Sequence, residues 1–382
     1  MRFQINPEKF WQDPYPDLMQ MQASAPIVYV PQLNAALITR RNDVFTLEKK
    51  VDLLSSRQPL GLMTRLMGEN MMRKDGSDHA LERRQIFPSL SPRTVMNVWK
   101  SEFETATDQI INKLRRSKVF DLVKDFAMPV SGASLVAMTG LRQMSPIEMD
   151  QVSQAMIDGC ANYNGDVSVE ADCISATDTI ENHIELMQPE LQKNPDKSVL
   201  SVLMQAGQPM YNIQANIKLV ISGGQNEPRD AIAGTAAALL LHRPALTHVL
   251  KTEGWDQAFM EYSRWMSPIG MSPRQITRDH DILGYSFQKD DRVFLMYGAA
   301  NRDPSVFSDA QLFDIHRNTG LAIPFGAGPH FCAGAAASKT LISGVALPKL
   351  FKAFPNLELR SPVSWGGWAF RGPLEVQVNS GF

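Results

Sequence analysis

The sequence predicts a mainly α-helical fold with a small β portion, on three observations. Helical spacing of apolar residues dominates from Asp78 to Leu250. Short β-like runs are confined to the N-terminal part and to the stretch after Arg274. No repeat, low-complexity tract or Gly/Ser-rich linker divides the chain. Residues 1–382 are therefore read as a single domain, a helix-rich lobe with a small β lobe drawn from both ends.

In chain order, Ile27–Val30 and Ala35–Thr39 are β-like runs, and residues 54–77, rich in Met and Gly without a clean period, read as a loop. Helices are predicted over Glu102–Arg116, Pro146–Asn162 and Thr177–Gln192. A long helix is predicted over Ile213–His242, interrupted by Gly223-Gly224 and Pro228. Ile282–Phe287 and Arg292–Leu295 read as strands, Ala333–Phe354 as a helix and Trp365–Val378 as a hairpin.

Composition narrows the function. Hydrophobic residues at 44% and charged residues at 20% are ordinary for a globular protein. The 38 basic and 40 acidic residues leave a formal charge of −2, which excludes a global field for nucleic acid or membrane. Three cysteines, Cys160, Cys173 and Cys332, are too few for a disulfide framework and suggest a reducing compartment. The start lacks an apolar signal core, and no stretch approaches the roughly 18–20 apolar residues of a spanning helix. A soluble, cytoplasmic monomer is expected.

The chemistry concentrates in Pro324-Phe325-Gly326-Ala327-Gly328-Pro329-His330-Phe331-Cys332-Ala333-Gly334. Gly326 and Gly328 let the backbone turn tightly beside a flat object, and Gly334 removes a side chain where a macrocycle would pack. Cys332 precedes an Ala-rich helix whose free N–H groups and dipole favour a thiolate. Alone, such a cysteine reads as a small buried hydrophobe. The spacing Phe-x-x-Gly-x-x-x-Cys-x-Gly changes that reading, because it resembles the heme-binding loop of cytochromes P450.

Other segments match the same family in order. Glu261-Tyr262-Ser263-Arg264 is similar to its Glu-x-x-Arg. By default that is a surface pair contributing a few tenths of a kcal/mol. In the family it is a buried structural pair behind the heme, tied to the stretches Asn301–Pro304 and Phe313–Arg317. His79 and Arg83 resemble the His-x-x-x-Arg that meets heme propionates, although alone they would read as a solvated helix face. Arg274 and His330 match two further propionate contacts. The resemblance spans nearly the whole chain, from Asp13 to Pro373. It implies the triangular P450 fold and heme b, with Cys332 as axial ligand donating electron density to the iron.

The central helix departs from the family. Where the family has an acid followed by Thr, the chain reads Gly223-Gly224-Gln225-Asn226-Glu227-Pro228. Aligned on the glycines, Asn226 takes the acid position and Glu227 the threonine position; a shift of one residue puts Glu227 at the acid and Pro228 at the alcohol. Neither register supplies a hydroxyl. Pro228 has no N–H, so the Gly224 carbonyl loses its helix partner and is expected to kink the helix and hold a water. Glu227 then has two readings: an acid–base group, or a carboxylate paired with a neighbouring arginine that only shapes the groove. The segment is also similar to a Gln-Glu-Pro version found in bacterial P450s acting on methoxy-substituted aromatics.

By family position, substrate-pocket walls would come from Leu60, Leu62, Met63, Leu66 and Met67, from Ile221 and Ser222, and from Ile269, Gly270 and Met271. The tail would add Trp368, Ala369 and Phe370. The same residues could simply be core. The function implied is a monooxygenase that inserts one oxygen atom into a C–H bond of a small apolar or aromatic molecule, with O-demethylation of a methoxyaromatic as one form. It would use dioxygen and a separate ferredoxin and reductase, with Arg84 and Lys339 contributing positive charge to docking. The alternatives are a peroxygenase driven by hydrogen peroxide and a catalytically weak heme protein that binds a ligand.

Overall fold

A computed structural model describes residues 1–162 and 165–381. Among them helices predominate and the strands are short, as the periodicity predicts. The chain forms two compact units that interleave along the sequence. The first comprises residues 1–57, 233–332 and 359–376, and the second residues 58–232, 333–358 and 377–382.

The first unit is built on a five-stranded sheet, in the order Ile27–Val30, Ala35–Ile38, Arg292–Leu295, Ser272–Ile276, Leu54–Ser55. Only the pairing of Ala35–Ile38 with Arg292–Leu295 is parallel. Alternation places Ile276, Val293 and Leu295 in a cluster with Ile38, Val44, Leu47 and Ile323, which buries them all. The same alternation puts Arg274 on the buried face of its strand, where a charge requires a partner. Ile282–Phe287 is a hairpin rather than one strand: His280–Ile282 pairs with Tyr285–Phe287 across Leu283 and Gly284, both at positive φ (52° and 77°). The tail pairs Ser364–Gly366 with Gly372–Glu375.

The second unit is mainly helical. Helices span Gly76–Leu90, Lys100–Leu114, Met128–Thr139, Pro146–Ala161 and Val167–Lys193; of the three with predicted bounds, Lys100–Leu114 and Pro146–Ala161 lie close to them, and Val167–Lys193 begins ten residues before Thr177. Pro146–Ala161 opens on a capping box in which Ser145 and Glu148 satisfy each other's backbone N–H. The stretch expected to be a loop, 54–77, instead holds a helix over Leu62–Met67 and a 3-10 turn over Met71–Arg73. The C-terminal residues Gln377–Asn379 leave the tail hairpin and pair with Val119–Asp121.

The long helix predicted over Ile213–His242 is two, Met210–Gly224 and Asn226–Leu241, with Gln225 at the break (φ −99°, ψ −59°). Pro228 lies in the first turn of the second helix, where a missing N–H costs little. The helix predicted over Ala333–Phe354 starts at Ala335 and runs to Ala353 through a π segment at Ile342–Ala346.

Candidate active site

The cysteine loop closes on itself within the first unit. The N–H of Cys332 donates to the Phe325 carbonyl at 3.0 Å, and that of Gly326 to Ile323 at 3.1 Å. The Phe325 ring packs against Phe259 and Phe331. Cys332 is half-buried and forms no disulfide. Gly326 and Gly328 both sit at positive φ (71° and 66°), a conformation other residues rarely adopt. A Cβ on Gly326 would lie 2.8 Å from Glu48 Oε1 and 3.1 Å from the Tyr297 hydroxyl, and one on Gly328 would lie 2.9 Å from Lys49 Cγ. On the side where a Cβ would stand, these two glycines meet the Glu48-Lys49 segment.

Glu48 has no sequence signal of its own, yet it joins three parts of the unit. It ends the helix Arg41–Leu47 and is 1% exposed. Its Oε1 accepts from the Tyr297 hydroxyl, and its Oε2 accepts from the Ala327 N–H at 2.8 Å. Arg274 Nη2 lies 3.6 Å from Oε1. Burial raises the Glu48 pKa above its ordinary value, opposed by the Tyr297 hydrogen bond and by Arg274. Arg274 also donates from Nη1 to Ser272 Oγ and the Pro273 carbonyl, while its buried Nε has no hydrogen-bond partner among the described residues. His330 Nε2 lies 3.1 Å from Ser56 Oγ.

Glu261 and Arg264 are both fully buried on the helix Trp255–Met266. Arg264 Nε and Nη2 each reach a Glu261 oxygen at 2.7 Å, a bidentate pair. The remaining guanidinium donors go to the carbonyls of Asn301, Ala310 and Leu312, all at 2.9 Å. Glu261 Oε1 also accepts from the Asp314 N–H at 2.9 Å and from Arg317 Nε at 3.3 Å. One ion pair thus fastens both the Asn301 turn and the Phe313–Arg317 stretch. The Asn301 amide fastens the chain further on, donating to Ser267 Oγ and accepting from the Ile323 N–H at 2.7 Å.

In the second unit, His79 and Arg83 lie one turn apart on Gly76–Leu90, His79 buried and Arg83 half-buried. At the helix break, the carbonyls meet protein rather than open space. Ser131 Oγ, from Met128–Thr139, donates to the Gln225 carbonyl at 2.8 Å and lies 3.4 Å from that of Gly224. The expected water acceptor at Gly224 is thus largely covered, by a hydroxyl from another helix that the local sequence could not reveal. Gln225 Nε2 donates to Asp150 Oδ1 at 2.8 Å. Arg229 pairs with Asp150 and Asp230, at 3.0 Å and 2.9 Å, and not with Glu227. Glu227 Oε2 and Asn226 Oδ1 are buried without hydrogen-bond partners among the described residues. Desolvation, reinforced by the Asp230 charge, raises the Glu227 pKa to about 8, so this carboxyl can hold or release a proton near neutral pH.

The suggested pocket residues divide. Met67, Ile221 and Ser222 are buried at 1%, 0% and 2%, with Met67 Sδ 3.6 Å from Cys160 Sγ and the Ser222 hydroxyl bonded to the Leu219 carbonyl. Leu60 is 89% exposed. Trp368 makes tilted ring contacts with Phe10 and Phe294. Met63, Ile269, Met271 and Phe370 are half-buried, and Ile269 bridges to Phe370 as Gly270 N–H bonds to Ala369.

A family model for cytochrome P450 matches residues 243–355, the stretch holding Glu261, Arg264, Arg274 and Cys332 but not Glu227. The chain is 26% identical to the putative cytochrome P450 YjiB of Bacillus subtilis over 359 residues, covering 90% of this chain and 88% of that one. It is 25% identical to the epothilone C/D epoxidase of Sorangium cellulosum over 393 residues, covering 96% and 92%. The structure of P450BioI in complex with an acyl carrier protein ligated to hexadec-9Z-enoic acid superposes with a TM-score of 0.89, at 22% identity over 97% of this chain and 99% of that one. The helix-rich fold with its small sheets is that of cytochromes P450.

Proposed function

The chain belongs to the cytochrome P450 family, and on that premise we propose that it is a heme-thiolate monooxygenase that inserts one oxygen atom into a C–H bond of a small apolar substrate. The observation that carries the proposal is the cysteine loop: a half-buried cysteine outside any disulfide, its backbone closed onto Phe325, and linked through Glu48 to a buried arginine whose Nε has no hydrogen-bond partner among the described residues. Among the described residues no cluster of His, Cys, Asp and Glu could hold a metal by itself. A lone sulfur donor fits an iron whose other ligands come from a macrocycle, and the unused Arg274 Nε fits a propionate.

In this reading Cys332 is the axial ligand of heme b, while Phe325, Gly328, His330 and Gly334 shape its surround. Arg274, His79 and Arg83 hold the propionates. When bound, the heme would supply the activation of dioxygen or peroxide and the oxygen transfer. Glu227 is the acid–base group, with Oε2 taking or giving the proton. Asn226 stands beside it with an acceptor oxygen of its own. Met63, Ile269, Met271 and Phe370 remain as substrate contacts. The apolar character of the substrate, though not its size, is supported by a relative named for an epothilone and by a similar structure holding an acyl chain. The Glu227 segment supports the narrower case of a methoxyaromatic undergoing O-demethylation. The whole chain acts as one cytoplasmic domain, a monomer served by a separate ferredoxin and reductase; among the described residues no helix is long and apolar enough to cross a membrane.

The unpartnered Oε2 of Glu227 favours a second reading, a peroxygenase needing no redox partner. Product formation from an apolar substrate, measured with ferredoxin, reductase and NAD(P)H and separately with hydrogen peroxide alone, decides between them. Turnover only with the protein partners supports the monooxygenase, and peroxide turnover at equal or higher rate supports the peroxygenase. No product by either route, despite ligand-induced spectral shifts, overturns both.

A further inference from the structure

Glu48, a buried ionisable group outside the residues proposed to hold the heme or move a proton, is tied both to the cysteine loop and to a residue proposed to hold the cofactor. Its two carboxylate oxygens divide the work: Oε1 faces Tyr297 and Arg274, and Oε2 accepts from the Ala327 N–H in the turn that leads to Cys332. The side chain is 1% exposed and Arg274 is 2% exposed, so their charges interact with little solvent screening. Gly326 has no room for a Cβ because Glu48 and Tyr297 occupy it. The carboxylate is therefore built into the loop rather than merely near it.

We propose that Glu48 is a positioning residue that sets the reduction potential and retention of the heme, by balancing the charge of Arg274 and anchoring the turn before Cys332. This rests on the heme-thiolate reading above. A buried negative charge beside the cofactor favours the ferric over the ferrous state, because reduction adds a further electron to the same low-dielectric region. Removing it leaves Arg274 with its full positive charge, which favours the ferrous state. The loop also loses an anchor, since a single amide oxygen cannot accept from both Tyr297 and Ala327 in the way a carboxylate does.

The test uses holoprotein and reads the potential by spectroelectrochemistry, heme transfer to apomyoglobin, and thermal melting. Glu48→Gln is expected to shift the potential to a more positive value and to speed heme loss several-fold, while the carbon monoxide band of the reduced protein stays thiolate-like. Tyr297→Phe removes a hydroxyl but no charge; it is expected to lower the melting temperature and leave the potential near the wild-type value. If Glu48→Gln yields no holoprotein, Glu48→Gln/Arg274→Gln is compared with Arg274→Gln alone, and the double variant should have the more positive potential. An unchanged potential across these comparisons, with only a lower melting temperature, overturns the inference and leaves Glu48 a structural residue. Absence of a thiolate band in the wild type would instead overturn the reading beneath it.

Discussion

At the scale of single residues, charge burial decides most of the behaviour. Glu261 and Arg264 were legible as an i, i+3 pair, but spacing alone gives a surface contact of tenths of a kcal/mol. Their burial depends on the Asn301 turn and the Phe313–Arg317 stretch, which supply the remaining donors and acceptors. Glu261→Ala leaves Arg264 buried and unpaired, so a loss of about 3–5 kcal/mol is expected in denaturant unfolding. A loss below about 1 kcal/mol would mean that the pair is solvated.

Glu227 gives a pH signature. Its pKa, about 8 in the folded protein, lies above the unfolded value, so the folded state binds the proton more tightly. The resulting stability is fully present below the unfolded carboxylate pKa, declines through neutral pH and is gone above about 8. Glu227→Gln removes this dependence, so the melting temperature of the variant should rise relative to wild type as pH increases across that window. A constant difference would show that Glu227 titrates normally. The same substitution should lower peroxide-driven turnover by about 10²–10⁴-fold while substrate binding changes little. Glu48, by contrast, was not legible: a lone Glu after a helix carries no pattern, and its partners are distant in sequence.

At the scale of elements, periodicity found the long helices because each buries one face over several turns. It missed what depends on other elements. Residues 54–77 lack a long apolar period, yet six of them form a helix, Leu62–Met67. The turn at Leu283-Gly284 was hidden because leucine rarely adopts positive φ. Ser131 covers the helix break from a segment 94 residues away from Gln225. The helix Asn226–Leu241 meets its neighbour closely at Gly234, where a Cβ would lie 1.9 Å from the Tyr262 hydroxyl. Gly234→Ala should therefore cost at least the upper end of the usual overpacking range, about 1–3 kcal/mol. Combined with Tyr262→Ala it should cost clearly less than the sum of the two single changes. Strict additivity in that double-mutant cycle would show that the two residues do not meet.

At the scale of the whole molecule, the order of motifs along the chain was informative because Glu261, Arg274 and Cys332 fall in one stretch that the P450 family model matches. The substrate was not legible. Several suggested wall residues are buried, and an apolar wall and an apolar core use the same side chains. Glu227→Thr supplies the hydroxyl that the chain lacks, and turnover should then move from peroxide towards the ferredoxin-driven route. Equal peroxide rates in wild type, Glu227→Gln and Glu227→Thr would remove the carboxyl from the chemistry.

The central claim is that Cys332 is the sulfur ligand of a heme, and the carbon monoxide difference spectrum of the dithionite-reduced protein tests it most directly. Wild type, Cys160→Ser and Cys173→Ser should all show the red-shifted thiolate band, and Cys332→Ser should lose it while remaining folded. A thiolate band that persists in Cys332→Ser, or that is missing from the heme-loaded wild type, would contradict the account.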